Sequence, residues 1–498
     1  MSEYAIGFDI GSSSVKASIV NLETRVVMGT THYPQTEMAV ISSQTGWAEQ
    51  QPELWWENLC HASKKLIAEL QINVNKIKSI GISYQMHGLV VIDSNQQVLR
   101  PAIIWSDSRA VKIGNYAFED LGEEKCLTHL LNSPGNFTAS KLKWVADNEP
   151  ELFARVDKFL LPGDYIAMRM TGEVATTVSG LSEAILWDYK KGKVANFVLD
   201  YYGISSALVP EIVPTFAEHG HLQATAARQL GLKPETKVTY RAGDQPNNAM
   251  SLNVLQPGEI AATGGTSGVV YAVVDQPLFD PQSRVNGFVH VNHTEANKRI
   301  GVLLCINGAG SQYSWVRQQV ALAGTSYGEM ERMASAVPIN SEGLRIIPFG
   351  NGAERILQNK EIGARIINLQ LNRHKRAHFF RAALEGIAFS FVYGIEIINA
   401  MGISTNVIRV GSDNLFRSGV FSSTIAELTE CKIEVMDTTG AIGAALASGV
   451  GVGAFKDVTE AVQGLSNSKS YYPSKDNSNY KLGYEVWKED LNKIIENI

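Results

Sequence analysis

The sequence predicts an α/β protein of two domains with a ligand cleft between them, and three observations carry that prediction. Its 498 residues exceed what one hydrophobic core usually organises and suit two large domains. Two distant segments share one form: an apolar strand, a turn rich in glycine and hydroxyl side chains, and a second apolar strand. The first is 4–10, Gly11-Ser12-Ser13-Ser14 and 15–20; the second is 259–263, Gly264-Gly265-Thr266-Ser267-Gly268 and 269–274. Elsewhere, apolar residues at helical spacing alternate with short strand-like runs. No long identity joins the two openings, so a duplicated unit rests on shape alone. The boundary falls near 253–257, giving domains 1–252 and 253–498.

The elements follow in order. Residues 4–10 alternate toward the first turn, 15–20 return, and 24–33 form a third strand after a turn at 21–23. A helix spans 52–70, with Leu54, Leu59, Leu66, Ile67 and Leu70 near helical spacing. Strand 77–83 runs into the polar loop Tyr84-Gln85-Met86-His87-Gly88. Residues 89–93 and 98–105 read as a hairpin around Ser94-Asn95-Gln96, and 111–232 as mostly helical. A strand at 238–242 ends at Gly243, with a helix at 247–252. After the second opening, 374–398 is a long amphipathic helix with Leu384, Ile387, Phe391 and Ile395 on one face. Strand 407–411, helix 421–428 and a glycine-interrupted helix within 438–455 follow.

Composition removes several function classes. Net charge is −6, pI is near 6.0, and no lysine–arginine block stands out, so nucleic acid is not an expected partner. Cys60, Cys126, Cys305 and Cys431 are far apart and form no CxxC pair, which argues against a zinc site or a disulfide framework. The opening MSEYAIGFDIG is acidic rather than basic, and no run of about 18 apolar residues is present. A soluble cytoplasmic protein without a membrane partner is expected. P-loop, GxGxxG, HExxH and GxSxG patterns are all missing.

Four loops carry the candidate chemistry. In the first, Gly11, Ser12 and Ser13 can turn amides and hydroxyls toward phosphate oxygens. Asp9 precedes them at a strand end, where it could orient a Mg²⁺-bound water, and Lys16 follows to offset charge. Alone, this is equally an ordinary hairpin turn. The second loop, with Gly265 and Thr266, has the same logic, and two such hairpins opening two halves are harder to dismiss. The third is Arg241-Ala242-Gly243-Asp244-Gln245, where a carboxylate with no adjacent cation in sequence suits proton removal from a hydroxyl. Its structural alternative is a cap on the helix that follows. The fourth is Gln85-Met86-His87-Gly88, joined by Trp47, Glu49 and Gln50 and by Trp105-Ser106-Asp107-Ser108-Arg109, aromatic and polar groups that suit a sugar or simply pack.

In this order the motifs resemble the FGGY carbohydrate kinases, over nearly the whole chain. Lys141-Leu142-Lys143-Trp144-Val145 is similar to a segment of the family's N-terminal domain. Pro348-Phe349-Gly350-Asn351-Gly352-Ala353-Glu354-Arg355 and Arg376-Ala377-His378-Phe379-Phe380-Arg381-Ala382-Ala383-Leu384-Glu385-Gly386 are similar to two of its C-terminal domain. The resemblance implies an α/β fold of two duplicated actin-like, hexokinase-like (ribonuclease H-like) domains closing over a central cleft. It further implies ATP and Mg²⁺, with Asp244 as base and Asp9 at the metal through water. Gln85, Met86, His87, Trp105 and Gln245 would hold the sugar, a ketopentose and most closely D-xylulose. Gly11, Ser12, Ser13, Lys16, Gly265, Thr266, Gly310, Gly411, Ser412 and Asn414 would hold ATP, with Gly308, Ala309 and Asp413 beside them. Dimers are common in the family, so a homodimer is one expected assembly. Two positions depart from the pattern: Gln245 replaces the usual asparagine, and Val410 precedes Gly411 where paired glycines are usual. Other sugars or polyols, such as ribulose, fuculose and gluconate, stay open. So does a non-catalytic sugar sensor, although Asp9, Asp244 and both loops persist.

Overall fold

The computed structural model describes residues 3–412 and 414–497, so Asp413 lies outside the described residues. Strands β1 (Tyr4–Ile10), β2 (Val15–Asn21) and β3 (Val27–Tyr33) form an antiparallel meander in which Asp9 faces Lys16. β3 starts later than predicted because the Asn21 side chain caps the turn, accepting from the Glu23 and Thr24 amides at 2.9 and 3.0 Å. Helix α1 (Pro52–Leu70) opens on proline and buries Trp55, Leu59, Ala62 and Leu66 on the face that Ile6, Phe8 and Ile10 supply. Strand β4 (Ile77–Tyr84) then pairs parallel with β1. After helices α2 (Thr138–Asn148), α3 (Pro162–Thr171) and α4 (Val178–Glu183), β5 (Lys237–Gly243) pairs parallel with β4. The sheet order is β5-β4-β1-β2-β3, and α5 (Asp244–Ser251) leaves β5.

The second half repeats this plan. Its sheet holds β6 (Glu259–Gly264), β7 (Gly268–Val274), β8 (Asn286–Val289) and β9 (Ile300–Ile306). After helices α6 (Gly310–Gln319) and α7 (Arg376–Ala400) come β10 (Val407–Gly411) and β11 (Lys432–Met436). Helix α8 (Gly440–Gly451) follows β11, and β12 (Asn467–Tyr471) closes the edge, in the order β8-β9-β7-β6-β10-β11-β12. Strands β9, β7, β6, β10 and β11 match β3, β2, β1, β4 and β5 in order and direction. The duplication that the sequence shows only as two similar hairpins is therefore a repeated topology. Helix α7 is long and apolar enough to cross a membrane, yet 83% of its apolar window is buried inside the protein, which makes it a core helix.

Helix α8 does not cover the sheet of its own half; it packs on the first sheet. A Cβ placed on Gly7 would stand 2.0 Å from the Ala441 carbonyl oxygen, and one on Gly81 would stand 1.9 Å from that of Ala444. Only glycine lets a helix of alanines lie this close to a sheet. Ser79 and Ser448 share a hydroxyl bond of 2.8 Å, and the Thr239 hydroxyl donates to the Ser448 carbonyl at 2.8 Å.

One predicted hairpin is present but irregular. Residues 89–105 fold back around the predicted turn through antiparallel bridges of Leu89 to Ile103 and Ile92 to Val98, with the Leu99 amide donating to the Val91 carbonyl at 3.0 Å. Val90–Ile92 pairs in addition with Lys158–Leu160, and Ala102–Ile103 with Glu49–Gln50. The turn is held by the Asp93 carboxylate, which accepts from the Asn95 and Gln97 amides at 2.9 Å each. A side-chain turn of that length does not set a tight hairpin register, so the pairing is interrupted and both buried strands add a partner on their other side.

Candidate active site

Two carboxylates meet where the halves join. Asp9 ends β1 and accepts from the Ser83 hydroxyl at 2.9 Å. Helix α8 begins directly against it, since a Cβ on Gly440 would fall 2.8 Å from Asp9 Oδ2. Asp244 is the first residue of α5, one position after the cap residue Gly243, so it also stands at the start of the helix. The helices after β5 and β11, which occupy matching places in the two halves, thus both start at this point. They are tied together by Asn247, whose amide donates to the Gly440 carbonyl at 2.9 Å. Burial pushes the Asp244 carboxyl up from its ordinary value to about 7, and the Asp9 carboxylate adds to the shift, while hydrogen bonds at Gln245 oppose it. A carboxylate tuned near neutrality is suited to taking a proton from a hydroxyl.

The Gln85–Gly88 loop is wired tightly. Gln85 is buried; its side-chain amide donates to Gln50 Oε1 at 3.3 Å, and its own carbonyl oxygen has no partner among the described residues. Met86 is buried against Gly243, where a Cβ would come within 2.6 Å of Met86 Cγ. His87 sits at φ 62°, with its ring edge-on to Phe137 and Nδ1 donating to the Glu183 carbonyl at 3.0 Å. Burial, then the Lys141 charge, pushes the imidazole down to about 3, so it is neutral. Gln50 is a hub that donates to the Ser12 carbonyl at 2.7 Å and accepts from Trp55 at 2.9 Å. Lys141, fully buried on α2, donates to the carbonyls of His87 at 2.8 Å and Ile104 at 3.0 Å. It holds two cleft loops from behind, and burial pushes its ammonium down to about 7.

The remaining predicted residues separate into groups. Trp105 is 54% exposed at the rim, with its indole N–H 3.4 Å from Ser12 Oγ. Arg109 and Asp107 are buried, with Arg109 under the Trp47 ring at 3.8 Å and bonded to both Asp107 and Glu49, a packing network behind the loop. Trp55 and Trp56 belong to the core. Gly11 closes its turn through its amide to the Ser14 carbonyl at 3.1 Å, Ser13 accepts from Met38, and Lys16 is exposed on the face of Asp9. Gln245 follows Asp244 in the first turn of α5.

Across the cleft, Gly264, Gly265, Thr266, Gly310 and Asn414 line a cavity of about 990 Å³. The Gly310 and Ser311 amides donate to the Gly265 and Thr266 carbonyls at 2.9 and 3.0 Å, which holds the glycine turn against the start of α6. Trp315, Glu331 and Arg417 extend the wall. Gly411 ends β10, and Ser412 opens onto a separate shallow pocket with Phe416, Arg417 and Lys469. The volume suits a nucleotide. No group of three or more metal-ligating side chains occurs among the described residues.

Glu183 was not among the predicted residues. It is 1% exposed, with its carboxyl against Gly243. Its signal in the sequence is slight: it is the single charged residue between Glu173 and Asp188.

The chain matches the N-terminal domain of the FGGY family of carbohydrate kinases over residues 4–251 and the C-terminal domain of that family over 260–452. The xylulose kinase of Bacillus subtilis (strain 168) is 30% identical, with 99% of each chain covered. The crystal structure of a xyloylose kinase from Brucella ovis has a TM-score of 0.89 to this chain at 25% identity, covering 100% of both. The gluconate kinase of Lactobacillus acidophilus shares the fold, with a TM-score of 0.89 at 21% identity and 99% of each chain covered. Both halves of the family, in order along a chain with the duplicated actin-like, ribonuclease H-like topology, place this protein in the FGGY family of carbohydrate kinases.

Proposed function

We propose that the protein transfers the γ-phosphoryl group of ATP to a ketopentose, with D-xylulose as the preferred acceptor, and that Asp244 is the base. The observation that carries the reading is the Gln85–Gly88 loop locked against Gly243, immediately before a carboxylate tuned to about 7. Asp244 takes the proton of the primary hydroxyl at O5 as that oxygen bonds to the γ-phosphorus and the bond to ADP breaks. Gln85, Met86, His87, Trp105 and Gln245 orient the sugar. The turn at Gly265 and Thr266, with Gly310 and Asn414, positions ATP on the opposite wall. Gly11, Ser12, Ser13 and Lys16 reach the phosphates from the first half, and Ser412, whose pocket shares Arg417 with the nucleotide cavity, borders the adenine beside Gly411. Mg²⁺ is usually held by one or two carboxylates with water and substrate phosphates, a donor set to which Asp9 can contribute without a dedicated cage. When bound, it supplies charge neutralisation at the phosphate oxygens. Asp9 would hold one of its waters.

Two measurements test this. D-xylulose should have the highest kcat/KM in a panel with D-ribulose, L-xylulose, L-fuculose, gluconate and glycerol. A pocket built to pair particular hydroxyls rejects sugars that leave its polar groups unpaired. Gluconate or glycerol outperforming every ketopentose would sink the substrate assignment, and no stimulation by any sugar would sink the kinase mechanism. Gly265→Val should fold, because a Cβ there meets nothing nearer than 3.7 Å. The side chain would instead project over the phosphates and raise the KM for ATP roughly tenfold, about 1.4 kcal/mol, with little change for sugar. An unchanged ATP KM in the folded variant would remove this turn from the nucleotide site.

A further inference from the structure

We propose that Glu354 is a positioning residue for the nucleotide: from outside the cavity it fixes the loop 307–310 and, through that loop, the turn at Gly265 and Thr266. The inference rests on the reading of this cavity as the ATP site. Glu354 is fully buried in the 348–355 segment and forms no part of the cavity wall. Its Oε2 accepts from the Asn307 amide at 2.9 Å, and its Oε1 accepts from the Gly308 amide at 3.1 Å. Both amides lie between the end of β9 at Ile306 and the start of α6 at Gly310. One carboxyl thus holds two consecutive N–H groups where the chain turns from strand to helix.

The same segment grips the loop at further points. The Asn307 side chain donates to the Ala353 carbonyl at 2.7 Å, and the Asn351 side chain donates to the Asn307 carbonyl at 3.4 Å. A Cβ on Gly308 would fall 2.1 Å from the Pro348 carbonyl oxygen, so loop and segment lie backbone to backbone. Beyond the loop, the Gly310 and Ser311 amides donate to the Gly265 and Thr266 carbonyls at 2.9 and 3.0 Å. A Cβ on Gly310 would come within 2.3 Å of that Gly265 oxygen. The path from Glu354 to the turn is therefore a series of close backbone contacts with little slack. The adjacent cation does not compete for the carboxyl. Arg355 turns to Ser283, donating to its carbonyl at 2.8 Å and to its hydroxyl at 3.1 Å. Desolvating an acid is costly, and the two amide bonds offset that cost; an apolar side chain would leave both amides without an acceptor.

The test compares full-length Glu354→Ala and Glu354→Gln with the parent and with Gly265→Val. It measures the KM for ATP, the KM for the acceptor with the highest kcat/KM in the panel, and hydrogen exchange of the loop amides. Glu354→Ala should raise the ATP KM about tenfold, keep the sugar KM within about twofold, and speed exchange at Asn307, Gly308, Gly310 and Ser311. Glu354→Gln keeps one acceptor but turns an N–H toward the other backbone amide, so it should raise the ATP KM by about threefold or more. Faster exchange confined to Asn307 and Gly308, an unchanged ATP KM in a folded Glu354 variant, or equal rises in both KM values would each overturn the proposal. If Glu354→Ala does not fold, the ATP KM and exchange of Glu354→Gln decide on the same terms. Gly265→Val separates the two readings. An unchanged ATP KM in that folded variant refutes the nucleotide site itself, whereas a raised one beside unchanged Glu354 variants refutes only the positioning role.

Discussion

Replacing Asp244 by asparagine should lower kcat by on the order of 10²–10⁴, about 3–5 kcal/mol of transition-state stabilisation. The amide keeps the shape of the side chain and removes its ability to accept a proton. The pH dependence has a definite sign. Below about 7 the folded enzyme holds Asp244 protonated, so kcat/KM should fall tenfold per unit on that side and level off above it. The same shift bears on stability. A carboxyl whose folded pKa is raised costs no folding free energy below its unfolded value of 3.8; the cost grows as pH rises and is complete above about 7. Asp244→Asn should therefore melt at or above the parent at pH 8 while losing turnover. A variant whose kcat stays within threefold of the parent would disprove the assignment.

Gly81→Val should be the most disruptive single change away from the cleft. The new Cβ would lie 1.9 Å from the Ala444 carbonyl oxygen, and the obstacle is backbone in a helix rather than a side chain that can swing aside. Overpacking of ordinary cores costs about 1–3 kcal/mol, and this site has less room to relax, so a loss of roughly 4 kcal/mol or more is expected. At about 2–4 °C per kcal/mol for domains of this size, the melting temperature should drop by roughly 8–16 °C. Gly265→Val, with open space at its Cβ, is the matched control. A Gly81→Val protein melting close to the parent would mean that α8 does not seal the first sheet.

What the sequence reveals follows the range of the interactions. β1, α1 and β10 are read within their bounds because alternation and helical spacing are local properties, and the glycine turns carry their own chemistry. The parallel pairings of β4 and β5 are not legible, since their partners are set by the whole sheet. The contact of α8 with the first sheet joins residues more than 350 positions apart; its trace is a complementarity of small residues, Gly7 and Gly81 against Ala441, Ala444 and Ala445. Residues 89–105 are legible as a chain folded back on itself because their turn is local, whereas the remote strands that each side also pairs with are not. At the site, Asp244 and the loop at Gln85 stand out as polar groups at strand ends. Glu183 and Lys141 do not, because a buried acid and a buried amine are recognised by what surrounds them.

The crossing of α8 also bears on how the protein is made. When β5 has left the ribosome, the first sheet has its five strands but lacks the helix that covers one face. That helix is encoded about 200 residues later, a delay of roughly 10–40 s at 5–20 residues per second. Throughout that interval, among the described residues, the glycine-lined face of the first sheet has only the short helix α5 beside it. The first half is therefore completed from the far end of the chain, after most of the second half has been made.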